Sequence, residues 1–260
     1  MSANGDTSRG DASTRPAPTL RQVARDTFRL LTFRLDGHAQ RTLGPRHLAF
    51  GLFWTWLVGM GRWWDDPTAH VTQHLGVGSV VYVFVLSLVL FVVFVPLARE
   101  RMPRLRSFIA FVALTSPPAM FYAIPVERFL PASTAATANV VFLLIVAVWR
   151  VALLVRYVRV GLGLGGFATT VATLLPLSAI VSFVSVVLKM GDVLVQSMGG
   201  LRDQTQAERI STAVVSVLSC LGPVVFLFTV ASYADLMRKA RQPGTDAPAP
   251  TPGPDDTFHS

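Results

Sequence analysis

Along this chain, polar stretches alternate with apolar blocks close to twenty residues long. A hydrocarbon core about 30 Å thick takes roughly 20 helical residues at 1.5 Å each. Six blocks approach that length: Leu48 to Trp64, Leu75 to Leu97, Ser107 to Val126, Ala135 to Val155, Leu162 to Leu188 and Ile210 to Tyr233. The pattern predicts an all-α, polytopic helical membrane bundle of six spans, occupying residues 48–236. The first block is the shortest and ends at Arg62; His47 at one end and Trp63 and Trp64 at the other suit interfacial anchoring.

Ahead of the bundle, residues 19–47 carry a different period. Thr19 is placed to cap a helix in which Leu20, Val23, Ala24, Phe28, Leu31 and Leu35 form an apolar face and Arg21, Arg25 and Arg29 a basic one. Such a basic amphipathic helix suits anionic lipid headgroups at a cytoplasmic surface; docking against the protein's own helix ends is the alternative. Residues 1–18 and 242–260, rich in Pro, Ala, Thr, Ser, Gly and Asp, are expected to be disordered tails.

Composition supports the membrane assignment: 52% of the residues are hydrophobic, 15% are charged, and the mean hydropathy is +0.50. A net charge of +8 raises the question of nucleic acid, but the basic residues lie between apolar blocks without an aromatic-interleaved patch, so no nucleic-acid partner is expected. Their placement is more telling. With six spans, 18 Lys and Arg fall on the side of the termini and 5 on the other. By the positive-inside rule, both termini are expected to lie in the cytoplasm. No apolar h-region precedes residue 47, so the first span is expected to act as an uncleaved insertion signal. The single cysteine, Cys220, excludes an intrachain disulfide.

Four features invite chemistry. Gly161, Gly163 and Gly166 spell G-x-G-x-x-G, but a span follows, and no acidic residue occurs between Glu127 and Asp192 for a ribose. A turn between two spans is expected, and no cofactor. Arg150 is a charge inside the fourth span, where it costs at least ~2.5 kcal/mol unless it finds a partner or an exit. Pro117 and Pro118 in the third span free the carbonyls of Ala113 and Leu114 at matching depth, with the Thr115 and Ser116 hydroxyls nearby. Arg150 is expected to donate to this break and lock the two helices; snorkelling to the cytoplasmic headgroups, or lining an anion pathway, are the alternatives. Pro176 and Pro223 in later spans are expected to be simple kinks. Asp66, His70 and His74 stand at i, i+4, i+8 on the outer side, a spacing that would place three metal ligands on one helix face; Asp66 as a helix cap is the plainer account.

The stretches GRWWDDP, LTSPPAMFYAIPVERFL and NVVFLLIVAVWRVALLVR resemble those of uncharacterised bacterial polytopic inner-membrane proteins, over about residues 20 to 200. The layout of a polar cytoplasmic segment before a compact bundle is also similar to the Yip-domain family, whose eukaryotic members organise membrane traffic and bind small GTPases. Of that family's motif only Leu43, Gly44 and Pro45 are matched, so no partner-binding residue transfers. The resemblance implies a non-enzymatic scaffold that binds a membrane-protein partner or a second copy of itself. A transporter or channel subunit, and a membrane enzyme built on the Asp66, His70, His74 group, stay open.

Overall fold

The structure is a computed structural model and describes residues 18–61, 75–186 and 206–241. The helices are α1 (Leu20–Leu31), α2 (Gly37–Arg41), α3 (Pro45–Met60), α4 (Val77–Ala98), α5 (Leu105–Leu114), α6 (Ala132–Arg156), α7 (Gly166–Val186) and α8 (Gln206–Arg241), joined by short 3-10 and π turns. No strand occurs among the described residues.

Four helical segments are long and apolar enough to cross a membrane: Val77–Arg101, Ser133–Gly161, Gly166–Phe183 and Leu221–Ala240. Their outer faces expose Val85, Leu88, Val92, Leu144, Val224 and Leu227, a surface that water would not tolerate but hydrocarbon does. The chain is an integral membrane protein by this architecture.

Two of the six expected spans depart from that length. Where Leu48 to Trp64 is predicted, α3 has 16 residues and ends at Met60, with Gly61 as its C-cap. At 1.5 Å per residue it reaches about 24 Å. Where Ser107 to Val126 is predicted, α5 stops after 10 residues, and a 3-10 helix, Pro117–Ala123, follows. The cause is the proline pair, which cannot donate to Ala113 and Leu114. The chain tightens instead, with Thr115 N–H donating to Val112 O at 3.2 Å and Ser116 N–H to Ala113 O at 3.1 Å. Pro96, Pro176 and Pro223 behave differently, lying inside α4, α7 and α8, which continue through them.

Contacts between helix ends gather the charge at one end of the bundle. Tyr233 Oη donates to Val93 O at 2.9 Å, and Arg101 Nη1 to Gly163 O at 3.4 Å, so the C-terminal ends of α4, α6 and α8 lie together. The N-terminal segment is tied to the same end: Trp149 Nε1 donates to Leu31 O at 3.1 Å and Arg156 Nη2 to Leu35 O at 3.3 Å. Gly37 has no Cβ to obstruct the Val160 carbonyl. Just inside this end sits an aromatic core in which Tyr157 stacks on Phe111 at 4.0 Å, with Phe108 edge-on at 5.6 Å and Phe94 beyond it.

The cap of α1 is as expected: Gln22 N–H donates to Thr19 Oγ1, and Thr19 N–H to Gln22 Oε1. Its faces are not. The buried row is Val23, Thr27 and Leu30, while Leu20 is 70% and Phe28 64% exposed. Thr27 tolerates burial because its hydroxyl donates to Val23 O at 2.8 Å. His47, expected at the interface, is buried between two partners: Gly44 N–H donates to its Nδ1 at 3.3 Å, so the proton lies on Nε2, which faces Asp26 Oδ2 at 3.3 Å. The helix thus uses one side to dock on α3 and keeps a second apolar row beside its arginines.

Candidate functional site

Where α3, α4, α5 and α6 meet at mid-depth, the apolar packing gives way to hydroxyls and one charge. Gly51, Thr55 and Gly59 recur every fourth residue on the buried side of α3, and Gly51 lets α5 approach while Gly59 lets the start of α4 approach at Gly76 and Ser79. A Cβ on Gly51 would stand 2.8 Å from the Ala113 Cβ and 2.9 Å from the Leu114 nitrogen, so only glycine fits. One turn on, the Thr55 and Ser116 hydroxyls share a hydrogen bond of 2.8 Å, and Thr55 also donates to Gly51 O at 2.9 Å. Both are fully buried, with every polar atom engaged, as a low-dielectric interior demands.

Arg150 reaches this cluster from α6. Its Nε donates to Thr115 Oγ1 at 3.3 Å, while Thr115 donates onward to Val112 O at 2.7 Å. Helical side chains lean toward the N-terminus of their helix, here away from the basic end. The guanidinium follows that direction, lining a cavity with Val58, Ser79 and Ala119 rather than turning back toward Arg156 and Arg159. The acceptor differs from the one expected: it is the Thr115 hydroxyl, because the 3-10 tightening has already given the Ala113 carbonyl to Ser116 N–H. The proline break still decides the contact, since it turns Thr115 and Ser116 out of α-helical register.

Two cavities, each of 260 Å³, adjoin the guanidinium and share Arg150 and Tyr82 in their walls. One is polar, with Thr55, Ser79 and Ser116; the other is apolar, running along Leu86, Leu90, Val146 and Leu177. Among the described residues, no carboxylate lines either. Neither Nη of Arg150 has a protein partner among the described residues.

The G-x-G-x-x-G string is divided between the end of a π turn (Tyr157–Gly161), a bend in which Gly163 takes φ of +67°, and the start of α7. It is a turn, and its left-handed residue explains one of its glycines. Asp66, His70 and His74 lie outside the described residues, as do Arg62, Trp63, Trp64 and residues 1–17 and 242–260 of the expected tails. Thr55, with the flanking glycines at four-residue intervals, is a participant that apolar periodicity alone overlooks; small-x-x-x-small spacing was its signal. No family model, curated protein or solved structure matches the chain.

Proposed function

We propose that the chain is a six-span scaffold of the bacterial inner membrane, with both termini cytoplasmic and its basic end seated on anionic headgroups, where it holds a membrane-protein partner or a second copy. The observation behind this reading is the gathering of arginines at one end and the tethering of α1 there. At 100° per residue, Leu20, Ala24 and Phe28 form an exposed apolar row directly beside Arg21, Arg25 and Arg29. A helix at the interface plane uses such a pair of rows to sink its apolar row among acyl chains and set its charges on phosphates. A groove of 840 Å³ beside it, walled by Phe33, Val148, Val151 and Val155 and ending at Arg156 and Arg159, offers the same combination. In this reading α3 and the broken α5 complete the crossings, with the 3-10 turns supplying the length that α5 lacks. The layout of a polar segment before a bundle keeps the Yip-like comparison as part of the proposal.

The experiment has two arms. With Cys220→Ser as background, single cysteines at Asp36 and Leu130 are probed by an impermeant maleimide in intact spheroplasts. Only the Leu130 cysteine is expected to label; labelling of the Asp36 cysteine alone overturns the orientation. In nanodiscs, the triple change Arg21→Gln, Arg25→Gln, Arg29→Gln should abolish the slowing of α1 amide exchange that anionic lipid produces over neutral lipid. Equal exchange of the native protein in both lipids overturns the headgroup role. Mild crosslinking from the Asp36 cysteine should then yield a partner or homodimer in stoichiometric amount; an exclusively monomeric product counts against the scaffold.

A further inference from the structure

We infer that the paired cavities at Arg150 form a binding site for a single-chain amphiphile with a carboxylate head, entered sideways from the bilayer. Arg150 spends its Nε on Thr115 and leaves the planar fork of its two Nη groups on cavities with no acidic residue among the described ones. A guanidinium fork matches a carboxylate with two parallel hydrogen bonds, which no hydroxyl in these walls supplies. The Ser79 hydroxyl stands in the wall of the same polar cavity, so a head paired with Arg150 meets a further hydroxyl there, while the Thr55 and Ser116 protons are already spent on Gly51 O and on each other. Beyond the guanidinium, the second cavity is lined by Leu86, Leu90, Val146 and Leu177, the chemistry of an acyl chain.

Size and access narrow the class. Each cavity measures 260 Å³, just under the roughly 300–1,000 Å³ of pockets that enclose drug-sized molecules. That accommodates one chain and a compact head, not the two chains and bulky head of a phospholipid. Tyr82 and Ile180 in the apolar wall are 52% and 43% exposed on the lateral surface, so the mouth faces acyl chains rather than either aqueous end. The site is separate from the basic end and independent of what α1 does.

The test uses the full-length protein in an uncharged detergent, with palmitate, hexadecanol, and chloride or inorganic phosphate as probes. Binding is followed by isothermal titration and by native mass spectrometry. Palmitate is expected to bind at one per chain, at least tenfold more tightly than hexadecanol. Arg150→Gln should erase that difference by weakening palmitate alone. Ile180→Trp, which narrows the mouth and leaves Arg150 untouched, should weaken both chains, and it decides the matter if the arginine variant does not fold. Equal affinity for palmitate and hexadecanol overturns the proposal, as does palmitate binding unaffected by either variant. Displacement of palmitate by millimolar chloride or phosphate would overturn it in favour of a pathway for inorganic anions.

Discussion

Phe33 provides the sharpest quantitative test of how α1 is held. It follows Thr32 at the end of α1 with φ of 60°, the left-handed region that glycine usually fills at a helix C-terminus. The surrounding bonds are those of a Schellman cap: Arg34 N–H donates to Arg29 O at 2.7 Å and Phe33 N–H to Leu30 O at 3.0 Å. For a residue with a Cβ this conformation costs about 1–2 kcal/mol. The phenylalanine ring stacks on Trp149 of α6, with centroids 6.2 Å apart and planes inclined at 28°. Such a pair contributes about 0.5–1.5 kcal/mol beyond its buried area, the same order as the strain.

Phe33→Ala loses the ring and keeps the strain; Phe33→Gly loses the ring and relieves it. Glycine is ordinarily worse than alanine by about 0.5–1 kcal/mol in regular structure, so this position should reverse the usual order. The expected gap is about 1 kcal/mol in favour of glycine, or roughly fivefold in the population of undocked α1. Amide exchange of Val23, Thr27 and Leu30, or trypsin cleavage at Arg25 and Arg29 in detergent, reads that population directly. Both variants should open more than the native protein, and Phe33→Ala more than Phe33→Gly. An alanine variant as protected as the glycine variant would refute the assignment of strain at this cap, and a glycine variant more open than alanine would reverse it.

Other outcomes follow from single contacts. Gly51→Ala should lower thermal stability in detergent by about 1–3 kcal/mol, since its Cβ meets Ala113 backbone at 2.9 Å, whereas Gly78→Ala, within α4 and with nothing within 4 Å, should not lower it. Tyr157→Phe removes a buried hydroxyl that has no partner among the described residues, so circular-dichroism melts should show no loss and a gain of up to about 1 kcal/mol; a fall of that size would mean the hydroxyl is satisfied. Arg150→Met should reduce abundance and melting temperature by removing the bond to Thr115; a protein unchanged in both would show that the contact does not hold α5 to α6. Gly163→Ala places a Cβ at φ of +67° against the Arg101 guanidinium and should destabilise the α6–α7 turn by about 1–2 kcal/mol, measured by trypsin cleavage at Arg159.

Much of this architecture was legible in the order of residues, because one solvent dominates it. Apolar blocks long enough for a bilayer can only be helices, since hydrocarbon satisfies no backbone group, and so the all-helical class and the four long spans followed from hydropathy. Thr19 and Gln22 specified the start of α1 by local bonding, and the glycine string specified a turn. What tertiary structure decided were the places where one helix answers another. Periodicity assigned α1 a single apolar face, but docking on α3 chose the sector of Val23, Thr27 and Leu30 and left Leu20 and Phe28 outside. The proline pair announced a break, yet which atom would meet Arg150 depended on how the chain relaxed: tightening gave the Ala113 carbonyl to Ser116 and turned Thr115 toward the guanidinium. The cavities beside it have no counterpart in the linear chain. One lies between α4, α5, α6 and α7, and the other beside the 3-10 turn at Ala119, so both exist only once the helices have packed.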